Sequence, residues 1–356
     1  MKRTATIAGI GIALPPSAAQ PDLWDGFFAE HYAGGRHRGL AKRIFQNAGV
    51  DTRQAAVSPL LEDVSGWSTE QRMRRYQVEA MPLGKESVGR ALTDAGVAAD
   101  ELGLFAVCSC TGYATPGLDI LLARDMGMSP NVQRLFIGHM GCYAALPGLG
   151  TVTDYVVARD RPALLLCTEL TSLHLQPAST RADIQQIVSH ALFSDASAAV
   201  VVTPGESDRG YAVREIAAVT DTTTADHMTW EVTDVGFRMG LSPQVPQVLS
   251  VHVRKLVDDL LGRHGLVIGD VDAWAVHPGG PKILDVVEEQ LELPPEALSA
   301  SRGVLAAYGN CSSPTVLLVL DALRRRPHPP RRVVMLAFGP GLTLYVTLLE
   351  GPTLAA

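Results

Sequence analysis

Six short apolar runs constrain this chain more than any other feature: residues 104–108, 163–167, 197–202, 273–276, 333–338 and 342–349. Each is apolar almost without interruption, as strands are when both faces of their sheet are covered. Between them lie longer segments with helical spacing, 85–95, 246–263, 282–291 and 315–325, and Gly and Pro punctuate the junctions. Covered strands alternating with helices predict an α/β protein with mixed sheets. Residues 5–14 read as a further buried strand. Gly9 and Gly11 interrupt that run and Pro15-Pro16 ends it, with no cleavage region of a signal peptide behind it. No apolar stretch approaches the ~20 residues of a membrane helix, so a soluble protein is expected.

The chain is 356 residues long, enough for two ordinary domains or one large domain of two halves sharing a core. A turn-rich break at residues 203–209 separates stretches of similar layout, giving halves 1–205 and 206–356, although the letters alone show no repeat. Residues 324–332 read as an exposed polar loop before the closing strands. A net charge of −7 argues against a broad nucleic-acid or anionic-membrane surface. Arg36, Arg38, Lys42, Arg43 and Arg53 nevertheless collect locally. They read first as a solvated helix face, and alternatively as a landing site for the phosphates of a nucleotide-bearing ligand. Five cysteines, odd in number and without zinc-ligand spacing, predict neither a disulfide scaffold nor a metal, which fits a reducing cytoplasm.

Cys142 follows Ile137-Gly138-His139-Met140-Gly141 and precedes Tyr143-Ala144-Ala145-Leu146. A strand end, a glycine turn and a helix would set the thiol at a helix N-terminus, where free amides favour the thiolate. Most free cysteines are instead small buried hydrophobes. Pro147 costs ~3 kcal/mol inside a helix, so it has to fall near the first turn. His277 ends an apolar strand and enters Pro278-Gly279-Gly280-Pro281, which aims it into whatever the strand ends frame; most such histidines are structural. Asn310, in Tyr308-Gly309-Asn310-Cys311-Ser312-Ser313-Pro314, is ordinary turn chemistry when taken alone. Phe338-Gly339-Pro340-Gly341-Leu342-Thr343 is a turn between strands and lacks the Lys-Ser/Thr of a phosphate loop.

Taken in order, Met140-Gly141-Cys142, His277-Pro278-Gly279-Gly280-Pro281, Tyr308-Gly309-Asn310-Cys311-Ser312-Ser313 and the Phe338–Thr343 turn resemble the chalcone synthase-like family, the type III polyketide synthases. Ala191-Leu192-Phe193-Ser194-Asp195-Ala196 and Val245-Pro246 match as well, so the resemblance runs from about residue 81 to residue 349. It implies a thiolase fold, five-layered αβαβα from two similar halves, and a homodimer. CoA thioesters are the implied substrates and no cofactor or metal is needed. Cys142 would carry the acyl chain, held as a thiolate by an imidazolium of His277. His277 and Asn310 would bind the malonyl thioester oxygen. Phe193 would be an aromatic gate, and Thr171, Ser312, Gly339, Pro340 and Gly341 would shape the cavity. Met239 stands where the family has a second gating phenylalanine, and an adaptable Met leaves room for extended chains.

Cys110 replaces a threonine of the plant enzymes, His174 replaces a small cavity residue, and Thr115 matches the residue that crosses the dimer interface. Lys42 and Arg43 fall near the family's CoA-phosphate positions without aligning cleanly. These features look most like bacterial alkylpyrone and alkylresorcinol synthases, with a malonyl-primed tetrahydroxynaphthalene-type synthase as the alternative. A β-ketoacyl carrier-protein synthase III would follow its histidine with Gln-Ala-Asn, where this chain has Pro278-Gly279-Gly280. A hydroxymethylglutaryl-CoA synthase would need a glutamate motif ahead of the cysteine, and none is apparent. A non-catalytic scaffold would not be expected to keep all three catalytic letters.

Overall fold

The computed structural model describes residues 4–34, 37–178, 183–207 and 210–352. Arg36 of the basic group, and Asp208 and Arg209 of the mid-chain break, lie outside them. Among the described residues the main sheet has nine strands. In chain order they are β1 (Ala5–Ala13), β2 (Leu104–Cys108), β3 (Gln133–Ile137), β4 (Ala163–Glu169), β5 (Ala196–Pro204) and β6 (Tyr211–Thr220). After a separate hairpin of β7 (Met228–Thr233) and β8 (Gly236–Leu241) come β9 (Ala273–Val276), β10 (Arg332–Gly339) and β11 (Thr343–Glu350). The helices that matter here are α1 (Arg38–Gln46), α2 (Thr69–Ala95), α3 (Ala145–Arg159) and α4 (Ile184–Leu192). Beyond the hairpin lie α5 (Val245–Arg263), α6 (Pro281–Gln290) and α7 (Pro314–Arg324).

The sheet runs β9-β10-β11-β6-β1-β5-β4-β2-β3. Its two sides repeat one pairing scheme. β2 and β4 are parallel, with β5 and then β1 added antiparallel; β9 and β10 are parallel, with β11 and then β6 added antiparallel. Within the sheet, the pairs Thr6↔Ala212 and Ile7↔Tyr211 join the sides among the described residues. The side-chain period of two then sorts the layers. Ala163, Leu165 and Cys167 of β4, with Val333, Met335 and Ala337 of β10, enter one central core around α3 and α7. Leu164 and Leu166 face α2 on one outer side, and Val334, Leu336 and Phe338 face α5 and α6 on the other. These are the five layers expected from the sequence.

Glycine permits the closest contact. A Cβ on Gly9 would lie 2.4 Å from the Ala91 carbonyl, and one on Gly11 2.1 Å from the Ser87 carbonyl. The two glycines therefore seat α2 directly on β1. The apolar runs and helices sit where the periodicity puts them, with two differences. The helix read at 85–95 begins at Thr69 and runs through Pro82, held by a capping box of Ser68 and Gln71. β3, β6 and the β7–β8 hairpin carry partly exposed faces and too few consecutive apolar residues to announce themselves.

Candidate active site

Cys142 lies in a single tight turn, Gly141–Tyr143, that leads into α3. Pro147 is the third residue of that helix, where its missing N–H costs nothing. Gly141 has φ +70°, and a Cβ there would press to 3.0 Å on Pro340. A Cβ on Gly339 would meet the Tyr143 ring at 2.8 Å. The Phe338–Thr343 turn thus packs its Gly339 and Pro340 against the turn that presents Cys142. Gly341 instead faces Thr343 and Thr220, at the β10–β11 hairpin end.

His277 leaves β9 and donates its N–H to the Leu336 carbonyl (2.7 Å). Its ring is buried edge-on against Phe338, with centroids 5.6 Å apart. Neither ring nitrogen has a partner among the described residues. Asn310 is fixed by its backbone: its N–H donates to Leu192 (2.8 Å) and its carbonyl accepts from Ser194 (2.9 Å). Its Oδ1 accepts from the Ser312 N–H at 2.9 Å, so the carboxamide NH₂ is the end left for a ligand. Gly309 makes this possible, since it has φ +68° and a Cβ there would stand 2.9 Å from the Leu192 carbonyl.

Cys142, His277 and Asn310 line one cavity of about 980 Å³, together with Phe193, Met239 and Phe338. Burial pushes the Cys142 thiol up to about 12, opposed by hydrogen bonding from Ser312 and Asn310. Burial alone takes His277 down to about 3. Neither ion is favoured by itself in this pocket. This differs from the lowered thiol expected at a helix N-terminus, because burial disfavours the thiolate here.

Phe193 and Met239 also wall an inner recess of about 60 Å³, which Thr171 and His174 line from the other side. Thr171 donates to the Ser194 carbonyl (2.9 Å). His174 Nε2 sits 2.7 Å from the Thr111 carbonyl, while Nδ1 accepts from the Phe237 N–H at 2.9 Å. That arrangement requires the neutral Nε2–H tautomer, in line with a pKa brought down to about 3 by burial. The His174 ring stacks on Phe237 at 4.6 Å and meets Trp230 edge-on at 5.4 Å, so this trio fills space that a small residue would leave open. Cys110 Sγ lies 3.9 Å from Ser312 Oγ, and its carbonyl accepts from Trp230 Nε1 at 2.7 Å. Burial and Glu169 keep its thiol protonated.

Thr115 is not at this cavity. It is exposed beside a separate hollow of about 230 Å³ with Tyr113, Ile120 and Phe136. Lys42 and Arg43 are exposed on α1, whereas the cavity is lined nearby by Ile44, Asn47 and Ala48. The cations that do line it are Lys282, at the start of α6, and Arg238, which is paired with Asp183. Neither was singled out in the sequence.

Nor was Glu169, the acidic last residue of an otherwise apolar strand. Its carboxylate accepts from the Cys110 N–H (3.0 Å), Thr111 Oγ1 (2.7 Å) and Ser313 Oγ (3.1 Å). Burial nevertheless pushes it up to about 7. A folded value above the unfolded one gives stability that is complete at acid pH and lost as pH rises through about 7. Glu169→Gln is therefore expected to melt roughly 2–5 °C above the parent at pH 8.5 and to lose that advantage at pH 5. Thermal unfolding at the two pH values checks this, and an equal shift at both would remove the buried charge as its cause.

Residues 1–206 match the N-terminal domain of the chalcone and stilbene synthases, and residues 212–352 match their C-terminal domain. The chain is 36% identical over 356 aligned residues to a 1,3,6,8-tetrahydroxynaphthalene synthase of Streptomyces peucetius subsp. caesius, covering 98% of this chain and 93% of that one. It is 32% identical over 361 aligned residues to the alpha-pyrone synthesis polyketide synthase-like Pks18 of Mycobacterium tuberculosis, covering 97% and 91%. The crystal structure of PKS-I from the brown alga Ectocarpus siliculosus superposes with a TM-score of 0.90 at 28% identity, covering 99% of each chain. No described helix is long and apolar enough to cross a membrane. With both family domains matched along nearly its whole length, the chain belongs to the chalcone and stilbene synthases, and is a type III polyketide synthase, an acyltransferase of the thiolase fold.

Proposed function

We propose that the enzyme loads an acyl-CoA starter on Cys142 and extends it with malonyl-CoA, then releases the chain as a pyrone or resorcinol-type product. The observation that carries this reading is the convergence of Cys142, His277 and Asn310 on one cavity. The Cys142 thiol gives its proton to His277, and its thiolate attacks the starter thioester. CoA leaves and takes that proton. Malonyl-CoA then loses CO₂, and the electron pair of the broken C–C bond passes to the thioester oxygen. His277 and the free NH₂ of Asn310 are the two donors placed for that oxyanion. The enolate carbon attacks the Cys142-bound carbonyl, and the Cys142 thiolate leaves.

The 60 Å³ recess is too small for an acyl chain, so the starter lies in the larger cavity against Leu192, Met239 and Leu241. Lys282 on the rim, with Lys42 and Arg43 on α1, supplies cations for the CoA phosphates. Residues 1–205 contribute the nucleophile and residues 206–356 the two donors. Strand β3 is an exposed sheet edge carrying Leu135 and Phe136, with Tyr113 and Ile120 exposed beside it. That apolar edge fits a second copy, which makes the enzyme a homodimer with Thr115 at the subunit boundary. A cytoplasmic setting, where CoA thioesters are made, suits all of this. The narrow recess and the tetrahydroxynaphthalene synthase relative favour a second reading in which malonyl-CoA is itself the starter.

Mass spectrometry of products from malonyl-CoA and a ladder of acyl-CoAs, acetyl to palmitoyl, tests these readings. Products of starter plus two or three ketide units name the starter; product from malonyl-CoA alone selects the second reading. In the same assay Met239→Phe is expected to shorten the longest accepted starter by several carbons. An unchanged range would take Met239 out of the cavity wall.

A further inference from the structure

Arg53 is buried at 7% exposure on the short strand Thr52–Gln54 and touches neither Cys142 nor His277 in the packing described above. Its guanidinium lies beside the packed pair of rings Phe28 and Phe45, 5.4 and 5.7 Å from their centroids, which are 4.7 Å apart. From there one nitrogen donates to the carbonyls of His190 and Phe193, the latter at 3.2 Å. Those carbonyls belong to the C-terminus of α4, where the last four C=O groups have no intrahelical partner.

The rest of that helix end is satisfied in the same manner. Gln20 Nε2 donates to the Ala191 carbonyl (2.8 Å), and the Asn310 N–H donates to the Leu192 carbonyl (2.8 Å). A cation at a helix C-terminus is favoured by the dipole, and the adjoining aromatic rings add to it. The flanking backbone ties the same strand to both sides of the cavity. Gln54 exchanges hydrogen bonds with Ser194 Oγ (2.7 and 3.0 Å), while the Asp51 N–H donates to Ala306 (2.8 Å). Arg53 Cγ stands 3.4 Å from where a Cβ of Gly309 would be. The 51–54 segment is therefore a splint between the segment bearing Phe193 and the segment bearing Asn310, which meet as a β-bridge.

We propose that Arg53 is a positioning residue for catalysis: by holding the end of α4 it sets the gate Phe193 in register with Asn310. This rests on the polyketide-extension reading above. Losing the clamp lets Phe193 and Asn310 shift together, so each extension slows and the chain is released before its full length. Lysine keeps the charge but lacks the planar guanidinium, whose one nitrogen aims two N–H bonds in fixed directions at the two carbonyls.

The test compares the parent, Arg53→Met and Arg53→Lys over a range of malonyl-CoA concentrations up to saturation. Arg53→Met is expected to lower turnover at least tenfold with KM within threefold, and to raise the ratio of short released ketides to longest product at least fivefold. Arg53→Lys should recover part of both. A folded Arg53→Met of reduced melting temperature but parental turnover and product ratio would show a structural role only and overturn the proposal. If Arg53→Met does not fold, Phe45→Leu, which removes one of the two rings packed beside the guanidinium, should move the product ratio in the same direction; a parental ratio there overturns it equally. Alkylation of Cys142 by iodoacetamide needs no substrate and separates this proposal from the reading of the substrates. It should be at least threefold slower at pH 7.5 in Arg53→Met, because Asn310 moves off the thiolate, and an unchanged rate counts against the clamp.

Discussion

Cys142→Ala is expected to abolish ketide products, at least ~10⁴-fold below the parent, while a slow release of CO₂ from malonyl-CoA persists. The two losses differ because the cavity divides the work. Cys142 sits on the turn into α3, and His277 and Asn310 reach the cavity from β9 and from the approach to α7 respectively. Removing the thiol takes away the acyl anchor but leaves both oxyanion donors, so decarboxylation still has its stabilised enolate. That enolate has nothing to attack and is protonated, giving acetyl-CoA. Product mass spectrometry and a coupled CO₂ assay measure the two quantities side by side. Full product from Cys142→Ala would disprove the assignment of the nucleophile; loss of both activities together would mean that the thiol also orders the donors.

His277→Gln is expected to lower turnover by ~10²–10³-fold and to change the pH dependence of Cys142 itself. Burial raises the thiol to about 12 and lowers the imidazole to about 3, so each ion alone is costly in this pocket. Moving one proton from Cys142 to His277 makes both ions at once, and their attraction in a low-dielectric cavity offsets much of the cost. Glutamine can still donate a hydrogen bond but cannot take the proton. The sign follows: without an imidazolium the thiol pKa rises, and less thiolate is present at pH 7. Alkylation by iodoacetamide should fall at least tenfold at pH 7 in His277→Gln, with the difference narrowing as pH rises. Parallel profiles for the two proteins would mean that His277 acts only on the malonyl thioester.

Much of this architecture was legible in the sequence, for physical reasons that also explain the gaps. Strands buried on both faces are written as continuous apolar letters, so 104–108 and 273–276 were read to the residue. β3 was missed because four of its five side chains are exposed, which makes it look like loop. α2 was cut short because Pro82 signals a break that tertiary packing overrides. The cavity residues Cys142, His277, Asn310 and Phe193 were found as ordered motifs. Lys282, Glu169 and the clamp on Arg53 were not, since each depends on segments far apart in the chain. Arg53 read as one more member of a basic surface group, and only folding shows that it is buried beside the Phe28–Phe45 ring pair.

The repeated pairing of the sheet has a consequence for where reactivity can arise. β4 and β10 hold the same place in the two sides, and each is preceded by one of the central helices, α3 or α7. The turn into α3 carries Cys142; the turn into α7 carries Asn310 and Ser312. β2 and β9 also correspond, and what leaves them is Ser109-Cys110 on one side and His277 on the other. One architectural address has thus been filled twice with different chemistry, an electron-rich sulfur in one tenancy and proton donors in the other. The cavity takes Cys142 from one side and His277 and Asn310 from the other, so it forms where the two sides meet.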